Sequence, residues 1–107
     1  MGCAIVLVTD VGIEHCKKFK TMFEEEAKKY RITVAGRTLD MNVTGGFEIT
    51  IKQEKNECAL VFKFKRSLDP NTLNLLSLAY KKTFEQYLFE ELNKKIEVGV
   101  LTFQNVR

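Results

Sequence analysis

The sequence predicts an α+β domain, a two-layer sandwich in which two helices cover one face of a mostly antiparallel sheet. Three observations carry that expectation. An unbroken apolar run opens the chain, the apolar spacing then passes from steps of three and four to steps of two and back, and an Asp-Pro pair at 69–70 opens a long second helix. At 107 residues the chain has room for a single core, so residues 1–107 are read as one domain.

Residues 3–9, Cys-Ala-Ile-Val-Leu-Val-Thr, are apolar at both alternating sets of positions and rich in β-branched side chains, the mark of a strand covered on two sides. Asp10 then offers an N-cap to a helix expected to run to about residue 30. Along it Ile13, Cys16, Phe19, Met22, Phe23, Ala27 and Tyr30 recur at steps of three and four and form one apolar stripe. From residue 32 to 65 the period is two. A strand at 37–43 is expected to turn Leu39, Met41 and Val43 inward, and Thr44-Gly45-Gly46 supplies a turn tolerant of positive φ. Phe47, Ile49 and Ile51 then alternate with Glu48, Thr50 and Lys52. After the polar turn 53–57, a strand at 58–65 points Cys58, Leu60, Phe62 and Phe64 one way and Ala59, Val61, Lys63 and Lys65 the other. The three strands read as an antiparallel meander with one buried face.

Asp69 as N-cap and Pro70 at the first helical position start the second helix where the missing proline donor costs nothing. It is expected to reach about residue 95, roughly 39 Å at 1.5 Å per residue. Leu73, Leu76, Tyr80, Phe84, Tyr87 and Leu88 fall on one face; Leu78, Phe89, Leu92 and Ile96 lie near the opposite one. A strand at 98–103 completes the order β-α-β-β-β-α-β, which leans toward a ferredoxin-like arrangement. The expected core is Ile5, Leu7, Phe19, Phe23, Ile49, Leu60, Phe62, Leu76, Tyr80 and Phe84.

Composition excludes several classes of function. Large two-domain enzymes and repeat arrays do not fit the length, and 45% hydrophobic residues with one proline exclude disorder. The net charge of +3 is small, and acids alternate with bases as on a solvated surface. The apolar run at 4–8 is too short for a membrane span or a signal peptide, and Val6 stands where the myristoylation pattern needs Ser or Thr. Cys3, Cys16 and Cys58 are odd in number and unclustered, so small core thiols in a reducing, cytoplasmic compartment are expected rather than a disulfide or zinc site. The triplet Asn42-Val43-Thr44 matches a glycosylation acceptor but lacks a secretory context.

No residue set for catalysis emerges, and neither a cofactor nor a metal is expected. His15 and Cys16 are neighbours, but on a helix their side chains diverge by about 100°, which is poor geometry for proton exchange. Glu24-Glu25-Glu26 spreads about 200° around the helix and does not gather ligands. The Thr9-Asp10-Val11-Gly12 turn precedes a helix N-terminus but lacks the phosphate-binding glycine patterns. The first expectation is therefore a non-catalytic module working through protein contacts, self-associating through Leu78, Phe89, Leu92 and Ile96 on the second helix. A basic sheet face built from Arg37, Lys52, Lys63, Lys65 and Arg66 is the alternative, a nucleic-acid contact. A small enzyme or ligand-binding domain with a pocket between sheet and helices comes third.

Overall fold

The computed structural model describes the chain at residues 2–27, 31–34, 37–40 and 47–106. The elements run β1 (Gly2–Thr9), α1 (Ile13–Ala27), β2 (Arg31–Val34), β3 (Arg37–Asp40), β4 (Phe47–Glu54), β5 (Glu57–Phe64), α2 (Pro70–Leu92) and β6 (Gly99–Val106). Four strands make one antiparallel sheet in the order β4-β5-β1-β6, while β2 and β3 form a separate two-stranded ribbon. In the sheet β5 lies between β1 and β4, and β1 lies between β5 and β6, so each helix connects two parallel strands with a third between them. This is the split β-α-β pattern of ferredoxin-like domains, with β2 and β3 as an insertion.

The register explains which residues face the helices. Cys3, Ile5 and Leu7 of β1 stand opposite Phe64, Phe62 and Leu60 of β5, which in turn stand opposite Phe47, Ile49 and Ile51 of β4. Directly opposed residues of antiparallel strands share a face. That face is buried under α1, which contributes Cys16, Phe19 and Phe23, and α2, which contributes Leu73, Leu76, Tyr80, Phe84 and Leu88. All ten residues of the expected core lie in this cluster. At its centre the Tyr80 ring sits 4.8 Å from Phe23 and 4.9 Å from Phe62, and Phe19 meets Phe84 at 4.5 Å between centroids. Aromatic pairs of this kind add to the burial of each ring, about 1.5–3 kcal/mol per fully buried side chain. Burial raises the Tyr80 hydroxyl pKa well above its ordinary value. At the start of β1, Gly2 is required because a Cβ there would run into the Phe64 carbonyl.

Four expectations are corrected. The first helix begins at Ile13 rather than beside Asp10, which is exposed and too far upstream to cap it; the first turn closes instead with the His15 N–H donating to the Gly12 carbonyl at 3.0 Å. The strand expected at 37–43 does not extend the meander: Arg37–Asp40 pairs with Arg31–Val34, and Met41, Val43 and the 44–46 turn lie outside the described residues, as do Tyr30, the 42–44 triplet and the Leu39 side chain. Two alternating segments of four residues are as readily satisfied by each other as by a sheet edge, which the period alone cannot distinguish. The second helix stops at Leu92, three residues short of expectation, because Asn93 adopts a left-handed φ of 53° and returns its N–H to the Phe89 carbonyl at 2.8 Å.

The fourth correction concerns the cysteines. Cys16 on α1 and Cys58 on β5 are joined by a disulfide across a sequence separation of 42, their Cα atoms 6.9 Å apart. Their buried positions in the core were foreseen, but wide spacing in sequence hid the pairing, and the bond withdraws the ground on which a reducing compartment was expected. Cys3 is the free thiol, fully buried, its pKa raised by that burial. Denatured without reductant, the protein should titrate one thiol, and after reduction three. Reduction should also lower unfolding stability by roughly 2–4 kcal/mol, read as a shift of the denaturant midpoint. Three titratable thiols before reduction would contradict the bond.

Candidate interaction surface

The helix α2 is held at both ends. The Asp69 carboxylate accepts hydrogen bonds from the Thr72 N–H at 3.1 Å and the Thr72 hydroxyl at 2.5 Å, which lower its pKa, and Pro70 occupies the first turn. The left-handed Asn93 ends the helix. Between them one flank is tied to the start of β6: Oε2 of Glu85 accepts the Val98 N–H at 2.9 Å and pairs with the Lys81 ammonium at 3.0 Å. Burial opposes the Glu85 charge, but the Val98 N–H, Lys81 and Lys95 outweigh it and hold the carboxyl below the ordinary value.

At 100° per residue Leu78, Glu85 and Phe89 lie within about 40° of one another, so Leu78 and Phe89 share the flank that Glu85 fastens to β6. They are about 16 Å apart along the helix. Of the four residues expected to form an apolar stripe, Leu78 and Phe89 are exposed, whereas Leu92 and Ile96 are half-buried against the core. Phe89 and Ile96 then line an open groove of about 730 Å³ with Lys81, Glu85, Lys95 and Glu97. On the far side of Ile96 a smaller recess of about 270 Å³ is lined by Asp10, His15, Leu92 and Lys94.

The strand β6 is an edge of the sheet, and residues 99 and 101–105 are exposed. On the sheet face away from the helices, the register aligns Thr50, Val61, Val6 and Leu101 in one row and Glu48, Lys63, Ala4 and Phe103 in the next. The middle of this face is apolar but closed in by its neighbours: Ala4 and Val61 are buried, Val6 and Val8 half-buried. Toward β6 it opens. The exposed large hydrophobics among the described residues are Leu78 at 40%, Phe89 at 48%, Leu101 at 55% and Phe103 at 47%. All four belong to α2 or β6.

The remaining residues singled out in the sequence do not assemble. Cys16 is consumed by its disulfide, so His15 has no thiol to activate; its Nδ1 is buried without a hydrogen-bond partner, as is the Thr9 hydroxyl. Glu24 pairs with Lys20 at 3.3 Å, Glu25 is solvent-exposed, and the Glu26 side chain is outside the described set. Lys52 and Lys63 share the open sheet face, but Lys63 stands opposite Glu48; Lys65 and Arg66 follow β5 on the surface, and Arg37 belongs to the separate ribbon. Among the described residues no group of three or more His, Cys, Asp or Glu is placed to hold a metal ion, and no helix is long and apolar enough to cross a membrane. The sequence reading passed over Leu101 and Phe103. The available signal was a run from Val98 to Val106 that contains no charged residue, in a chain where 29% are charged.

Comparison with protein-family models, with curated proteins and with solved structures finds no match for this chain.

The tie between α2 and β6 has a pH signature. Because Glu85 has a lower pKa folded than unfolded, its contribution is full above the ordinary carboxylate range and is lost as pH falls through its folded value. Glu85→Gln should cost about 1–2 kcal/mol at neutral pH. Thermal melts of the two proteins should differ most near neutrality and converge in acid; a difference that grows in acid would refute the role given to the charge.

Proposed function

We propose that this domain is a non-catalytic interaction module that associates with a second copy of itself through the α2–β6 end of the molecule. The observation that carries the reading is the placement of its four exposed large hydrophobics, Leu78 and Phe89 on the tied flank of α2 and Leu101 and Phe103 on β6. Large apolar side chains left exposed on two packed elements, α2 on one side of the sheet and β6 at its edge, mark a surface for association. The strand favours a like partner, because residues 98–106 carry no charge; on the flank Lys81 and Glu85 neutralise each other, while exposed Lys82, lining the same groove as Phe89, sets one like charge from each copy against the contact. Four half-exposed side chains from each copy, eight in all, supply roughly 6–12 kcal/mol of gross burial. Association costs at least a comparable amount, so the expected dimer is weak and concentration-dependent.

One observation favours a second reading, nucleic-acid binding. Phe103 stands half-exposed in the same cross-strand row as Lys63, the combination of an aromatic platform and a cation that stacks and neutralises a single strand. Glu48 in that row weakens it. On this reading Lys63→Ala would weaken binding of a single-stranded oligonucleotide and flatten its salt dependence; an oligonucleotide that does not bind at low salt removes it.

The mass of the protein by light scattering after size exclusion tests self-association. It should rise from that of one chain toward twice that value with concentration, and Leu78→Glu combined with Phe89→Glu should hold it at one chain with circular dichroism unchanged. A single-chain mass for the wild type at every concentration would overturn the proposal.

A further inference from the structure

The two exposed faces that meet at β6 lie on opposite sides of the sheet, and what lies between them is the edge of the strand itself. Among the described residues β6 pairs with β1 alone, so alternate N–H and C=O groups along its outer side have no strand partner. The opposite edge, β4, carries Glu48, Lys52 and Glu54, the charges with which proteins keep sheet edges from pairing. Over Gly99–Val106, sequence Gly-Val-Leu-Thr-Phe-Gln-Asn-Val, β6 has neither charge nor proline. Its one guard is a bulge: the β1–β6 register shifts between Gly2 and Ala4, Asn105 takes a left-handed φ of 57°, and the Gln104 amide donates to the Leu68 carbonyl at 3.2 Å. The regular, unguarded edge is therefore 99–103.

We propose that two copies of the chain join through β6, pairing antiparallel about a twofold axis at Leu101, so that two four-stranded sheets run on as one. This rests on the self-association proposed above and names its interface. An isologous contact requires a self-complementary strand, and the bulge selects the register. Centred on Leu101, Gly99 opposes Phe103 of the other copy, Val100 opposes Thr102, and all five regular residues pair. Centring on Thr102 or beyond would bring Gln104 and the left-handed Asn105 into the ladder. In the chosen register each Phe103 ring has a glycine opposite it, a pairing in which the aromatic covers backbone that glycine leaves bare. On the helix side, continuing the sheet brings the two α2 flanks toward each other, with Leu78 and Phe89 between them.

The register is tested by single substitutions at exposed positions. Leu101→Lys sets two ammonium groups against each other on the axis and should shift the equilibrium about tenfold or more toward monomer by light scattering. Leu101→Cys should form a covalent dimer when the folded protein is treated with copper–phenanthroline, since directly opposed residues of antiparallel strands lie within disulfide reach. Thr102→Cys, likewise exposed but opposed to Val100 of the other copy, should not. A dimer left intact by Leu101→Lys, or trapped equally by both cysteines, overturns β6 pairing while self-association stands; a wild type that is monomeric at every concentration overturns both.

Discussion

Everything in this structure follows from the decision of a sheet to bury one face. Phe62 and Phe64 of β5, Ile5 and Leu7 of β1 and Ile49 of β4 form an apolar surface that only two helices can cover, and Tyr80 of α2 together with Phe23 of α1 closes over its middle. A sheet covered on one side keeps its other side and its edges in water. On β4 the edge is charged, and along the middle of the open face the side chains are small enough to be shielded by their neighbours. At β6 neither device operates. The surface proposed for association is the part of the one-sided design that the chain leaves unfinished.

Two ties hold the helices to the sheet. The Cys16–Cys58 disulfide fastens α1 to β5, and at the β6 side the Glu85 carboxylate fastens α2 to Val98, the residue just before β6. The first restricts the unfolded chain and the second orients the exposed flank of α2 against the strand. A surface whose backbone is held in place loses less entropy on association, which matters when the available apolar area is small. Neighbouring Tyr87 belongs to the same helix but to its covered side, where burial and the Glu91 carboxylate push its hydroxyl up to about 12.

Much of the fold was legible because it rests on periodicity. The alternation of Cys58, Leu60, Phe62 and Phe64 and the spacing of Leu73, Leu76, Tyr80 and Phe84 each assign a face, and the faces meet as expected. What was not legible depends on long-range partners. Nothing local to Arg37-Thr38-Leu39-Asp40 indicates that it pairs with Arg31–Val34 and not with β4, and no spacing rule joins Cys16 to Cys58. The expected apolar stripe of α2 divides for a physical reason: helical angle places Leu92 with Leu78 and Phe89, but Leu92 and Ile96 pack against the core while Leu78 and Phe89 stay exposed, a difference that helical angle alone does not contain. Leu101 and Phe103 were missed because an alternating strand always has two faces, and sequence alone does not say which of them the helices leave bare.

The central claim is that the outer edge of β6 is an occupied hydrogen-bonding edge in the associated protein and that the edge of β4 is not. Amide hydrogen exchange at dilute and concentrated protein reads this directly, residue by residue. The outward-facing amides of Gly99–Phe103 should gain protection as concentration rises, while those along the outer side of β4 should exchange at the same rate throughout. Exchange along β6 that does not depend on concentration, or protection that appears on β4 instead, would contradict the account.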